Sequence, residues 1–187
     1  MTESPSARLL AMFHEAGIPF DSVEDAWRRS EHLSPLLGWL TASFPDEAAF
    51  QTCSEWLRLC ASRVDGGEPA AALFAQARGN APRQAHVAAG KLVDLRNECI
   101  LARRPAAAAF ADAANHLCEV WTAVTTHEED GETEPWGRAK AAAVAMVTAW
   151  LYQQELEEED KQARLLARAE LTRLLREARA AVRPDQP

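Results

Sequence analysis

The clearest apolar period in the N-terminal half of the chain runs through residues 33–64. Leu36, Leu37, Trp39 and Leu40 form one face after a Ser34-Pro35 start, and Pro45-Asp46 breaks and re-caps the chain. Phe50, Cys53, Leu57, Cys60 and Val64 then recur at i, i+3, i+7, i+10 and i+14, the single buried stripe of an amphipathic helix. Trp56 and Leu59 widen that stripe, as expected of a helix packed on two neighbours. Trp39 and Trp56 are therefore placed near the centre of an N-terminal bundle of short helices.

Upstream, Ser4-Pro5 is a helix start and Gly17 its stop. Ile18-Pro19-Phe20 is extended, because a residue before proline avoids the helical region. Asp21 with Glu24 reads as a capping box opening a short helix through Trp27. Downstream, Gly66-Gly67 ends the patterned helix, and residues 69–78 form a short one with Leu73 and Phe74 inward, closed by Gly79-Asn80.

From Pro82 the helices lengthen. Ala85, Ala88, Leu92, Leu95, Cys99 and Ile100 give a second stripe ending at Arg103-Arg104; Pro105 restarts the chain. Phe110, Ala113, Leu117, Val120, Trp121 and Val124 give a third, and the tight break between the two suggests an antiparallel hairpin. Residues 127–136 carry acids and Gly131 and read as an exposed linker. No proline or glycine then interrupts residues 138–182, so one helix of about 65–70 Å is expected there. Its apolar start (Val144, Val147, Trp150, Leu151) leads through acidic residues 155–160 to a Leu- and Arg-rich end (Leu165, Leu166, Leu171, Leu174, Leu175). The acidic run reads as a solvated helix face, with a basic partner groove as the sharper alternative.

The expected fold class is thus all-α: an N-terminal helical bundle over 1–80, a helical hairpin over 82–126, an acidic linker over 127–136 and a long C-terminal helix over 137–183. Composition agrees, since hydrophobic residues make up 48 % of the chain and alanine, which favours helix, is abundant among them.

A net charge of −8 argues against nucleic acid or an anionic membrane as the main partner. The four cysteines, Cys53, Cys60, Cys99 and Cys118, form no CxxC and sit at apolar helical positions, which reads as reduced core thiols in a cytosolic or nuclear protein, and a cytoplasmic location is expected. The start of the chain has no basic segment of a signal peptide, and no apolar run approaches the length of a membrane helix. His14, His32, His86, His116 and His127 form no zinc signature; the acids of 128–134 lack the EF-hand order; no serine lies in a GxSxG context. No catalytic, cofactor-binding or metal-binding residue is expected, and the chain reads as non-enzymatic. A helical enzyme would need a polar pocket near His86 or His116.

One set of positions resembles a known family. Gly17-Ile18-Pro19 closes a short first helix, Asp25 lies just before Trp27, and Leu37, Trp39 and Leu40 precede Phe44. Gly66-Gly67 and then Leu73-Phe74 supply a break and a further short helix. In this order residues 9–80 resemble the N-terminal region of augmin complex subunit 3, from the eukaryotic complex that recruits γ-tubulin to existing microtubules. Residues 92–104 would then match a basic coiled-coil entry. Pro45-Asp46 departs from the family's Asn-x-Leu-Ser entry, and the family's extended coiled coil and the Ala-rich tail here have no mutual counterpart. The resemblance implies a scaffold subunit of the spindle cytoskeleton, joining augmin-like protein partners through its long helices. The acidic balance weighs against direct contact with the microtubule surface. A self-contained adaptor or regulator, homodimeric through its C-terminal helix, is the alternative.

Overall fold

Ser4 Oγ accepts from the Ala7 amide at 3.2 Å, capping the first helix where the Ser-Pro pair predicts it. The structure is a computed structural model and describes residues 3–78, 82–126 and 134–183. Among the described residues every regular element is a helix: α1 (Pro5–Glu15), α2 (Val23–Arg29), α3 (Leu33–Ala42), α4 (Glu47–Ala61), α5 (Glu68–Gln76), α6 (Pro82–Leu101), α7 (Pro105–Thr126), α8 (Pro135–Gln153) and α9 (Lys161–Val182). The fold class is all-α, as the sequence predicts.

Local signals account for most boundaries. Gly17 sits at φ +75°, and the bonds Gly17 N–His14 O (3.0 Å) and Ile18 N–Phe13 O (2.9 Å) close a Schellman turn on α1. Asp46 caps α4 through the Ala48 amide at 3.0 Å. Several boundaries differ from expectation; α4, for one, ends at Ala61, before Gly66-Gly67. Ser22, rather than Asp21, caps α2 by accepting from the Asp25 amide at 3.1 Å. Helix α3 begins at Leu33 without a side-chain cap, so Ser34-Pro35 lies inside its first turn. Proline is tolerated there because first-turn amides have no intrahelical acceptor. The stop expected at Gly79-Asn80 and most of the linker, 127–133, lie outside the described residues. The rest of the linker is already structured: Glu134 caps α8, and Pro135 and Trp136 form its first turn.

The stripes pack largely as their periods require. Phe50, Cys53, Trp56, Leu57 and Cys60 are buried on α4, and Phe110, Ala113, Leu117, Val120 and Trp121 on α7. Helices α6 and α7 are antiparallel: Cys99 near the end of α6 meets Ala107, while Cys118 near the end of α7 faces the Ala85 carbonyl. Ile100 departs from its expected place and is 52 % exposed, since α6 turns only one face to its neighbours.

The long C-terminal helix does not form. The chain breaks at 154–160 and returns as α9. Glu155 adopts φ +54°, and Leu156 N bonds Leu151 O at 2.9 Å, a Schellman turn built without glycine. Asp160 caps α9 through the Ala163 amide at 3.0 Å. Helical spacing of the acids in this run would set like charges side by side, which disfavours continuation.

That break lets α8 pack on α3 and α7 while α9 packs on α4. Gly38 makes the α3–α8 approach close enough that a Cβ there would overlap the Trp136 ring. Thr41 Oγ1 also donates to the Pro135 carbonyl at 3.0 Å. One large buried apolar cluster therefore runs from Leu9 to Ala178, and the units expected at 1–80, 82–126 and 137–183 share it. Trp56 lies at its centre, fully buried, whereas Trp39 is half-buried at its edge.

Candidate functional site

The most unusual local chemistry lies where α2 meets the end of α9. Arg176, Arg179 and Arg183 follow i, i+3, i+7 and so share one face of α9 and its C-terminal edge. Opposite them α2 presents Glu24, Trp27 and Arg28, and together with Ala180 these residues line a cavity of about 170 Å³.

Each arginine is held differently. Arg179 donates to both Glu24 oxygens at 2.6 and 2.9 Å, and its guanidinium stacks 4.6 Å from the Trp27 ring and 5.8 Å from Trp39. The Arg179 hydrogen bonds hold the Glu24 carboxyl below its ordinary pKa, against a smaller opposing effect of burial. Arg183 pairs with Asp46 at 2.9 Å. Arg176 spends its Nε on the Trp27 carbonyl at 2.9 Å, and its Nη2 is buried without an acceptor. The Trp27 indole Nε1 is likewise buried without one.

Behind Trp27, on the same helix, Asp25 is buried and forked by Arg28 at 2.7 Å and by Arg29. The Arg29 and Arg28 hydrogen bonds hold its carboxyl well below the usual carboxylate range. This arrangement orients α2 and is structural.

A second concavity, of about 450 Å³, lies between the start of α3, the exposed side of α8 and the start of α9. Pro35, Val144, Val147 and Leu151 give it apolar lining, and Glu158, Arg164 and Arg168 give it charge. Val144, Leu165 and Leu166, aliphatics of the stretch expected to form one long helix, are 51, 58 and 62 % exposed.

His116 belongs to a polar network across three helices. Its Nδ1 accepts from Arg138 at 3.3 Å, which leaves Nε2–H facing Asp112 at 3.6 Å. Arg138 also pairs with Glu119 at 2.8 Å, and Arg96 of α6 pairs with Asp112 at 3.3 Å. Sequence motifs do not single out this set, although Asp112, His116 and Glu119 stand at i, i+4 and i+7. Neither cavity above is lined by His116 or His86. The evident work of the network is to tie α6, α7 and α8 together.

The four cysteines are free and buried; burial pushes the Cys118 thiol up to about 12 and raises those of Cys53 and Cys60 as well. Such thiols are poor nucleophiles and metal ligands. His14, His32 and His86 are exposed, and His127 lies outside the described residues. Among the described residues no three His, Cys, Asp or Glu side chains are grouped to hold a metal ion. Among them too, no helix is long and apolar enough to cross a membrane. The chain matches no family model, no curated protein and no solved structure.

Proposed function

We propose that this protein is a non-enzymatic assembly subunit that works by protein–protein contact. The observation that carries the reading is the exposure of Val144 on the wall of the α3–α8–α9 concavity and of Leu165 and Leu166 on α9. Large aliphatics left on an otherwise charged surface are a common mark of a contact surface. The narrower form rests on the resemblance of residues 9–80 to augmin subunit 3: a cytoplasmic scaffold role in γ-tubulin recruitment at the spindle. In that form the contacts are made by α8 and α9 as separate packed helices.

The test is affinity purification of the tagged chain beside a Val144→Asp/Leu165→Asp/Leu166→Asp variant, with the mass of each measured by light scattering. A defined set of partners held by the parent and lost by the folded variant is expected; augmin-like subunits among them would support the narrower form. Identical partner sets for parent and variant, or a partnerless monomer, would reject the proposal.

The exposed Leu165-Leu166 pair also favours a second reading, an adaptor that dimerises through α9. Purified protein would then have twice the chain mass, and the same variant would halve it.

A further inference from the structure

We propose that the cleft between α2 and α9 is a binding site for a phosphoryl group. The inference is independent of the assembly reading.

Four arginines and one carboxylate line the cleft, in a chain whose net charge is −8. Three of the arginines have acid partners: Arg28 with Asp25, Arg179 with Glu24, Arg183 with Asp46. Arg176 has none among the described residues; its Nε bonds a backbone carbonyl and its Nη2 is buried with no acceptor. Leaving a buried donor unmade costs free energy, and more so when the group is charged. Trp27, only 3 % exposed, leaves its Nε1–H unmatched in the same way.

Both orphan atoms are donors, both belong to side chains lining one cavity, and one of them carries an uncompensated positive charge. The complement is a group that only accepts and is negative, which is an oxyanion. The cavity's 170 Å³ is several times the ~30 Å³ share of a water molecule. A phosphoryl group offers three strong acceptor oxygens in different directions, against two in one plane for a carboxylate. Donors here come from two helices: Trp27 and Arg28 on α2, Arg176 on α9. A cleft walled by donor-bearing side chains of both helices suits the tetrahedral group. The half-buried Arg176 side chain can rotate its Nη2 toward the ligand, while Glu24 and the Trp27 and Trp39 rings keep Arg179 in place as a fixed charge. Glu24 is the one lining acid, so it opposes a second anion and sets the sign of a control variant.

The experiment is titration of the full chain with O-phosphoserine, inorganic phosphate and acetate at low ionic strength. Binding is followed by the indole N–H resonance of Trp27, assigned by its absence in Trp27→Phe. A saturable shift with both phosphate compounds is expected, with acetate at least about tenfold weaker. Arg176→Gln should weaken phosphoserine binding by about tenfold or more, and Glu24→Gln should leave it equal or tighter. If Arg176→Gln does not fold, Arg176→Lys keeps the charge without the fork and should still weaken binding several-fold. Phosphoserine tighter than inorganic phosphate would assign a phosphorylated side chain as the source, and the reverse would assign free phosphate. An unmoved Trp27 resonance, acetate binding as well as phosphate, or unchanged affinity in the folded Arg176 variant would each overturn the proposal.

Discussion

The indole Nε1–H of Trp56 donates a 3.1 Å hydrogen bond to the carbonyl oxygen of Leu171, a residue 115 positions later in the chain. Both groups are buried, so the bond joins α4 to α9 at the centre of the core. A buried tryptophan needs an acceptor for its one polar atom, and here the acceptor is backbone of a helix that the C-terminal break alone brings within reach.

Trp56→Phe removes that bond and leaves part of the indole volume empty. A loss of about 2–3 kcal/mol in unfolding free energy is expected, read from urea denaturation. Because one apolar cluster links α4 and α9, the variant should still unfold in a single transition by fluorescence and circular dichroism. Two transitions would show that α9 is a separate unit.

Acid should weaken the protein through Asp25. Its carboxyl is held far below the ordinary value of 3.8 by Arg29 and Arg28, so the folded state binds its proton later than the unfolded chain does. The resulting stability is fully present above about pH 5 and is lost as pH falls through the unfolded value toward the folded one. Glu24, Glu55, Asp112 and Glu170 are lowered by their own partners and act with the same sign. Melting temperatures of the parent and Asp25→Asn should differ by a constant amount between pH 5 and 8 and converge in acid. A difference that persists unchanged at pH 2.5 would contradict this assignment.

Glu155→Gly distinguishes a broken helix from a continuous one by sign. At φ +54° an L-residue is strained and glycine is not, so the substitution should stabilise by about 0.5–1 kcal/mol. Within an unbroken helix the same change would cost about 1 kcal/mol. Chemical denaturation of the two proteins reads the difference directly.

Periodicity and caps are enough to place most helices. The Ser4-Pro5 start, the Gly17 stop and the α4 and α7 stripes are set by chemistry within a few residues of where it acts. The break at 154–160 is hard to read because its turn residue is Glu155 rather than glycine, and because a run of acids suits a solvated helix face equally well. Asp160, three residues before Ala163, is the available signal. Hydrophobicity alone sets Ile100 in a buried stripe, yet burial depends on which neighbours arrive.

Helix content, the capped boundaries and the burial of the four cysteines follow from local composition and spacing, because those interactions span a turn or two of chain. The partnership of Trp56 with Leu171, and the meeting of Trp27 with Arg176 across 149 residues, do not. They depend on α9 folding back against the first helices. No stripe encodes that return, since any apolar face of sufficient width could have covered α4.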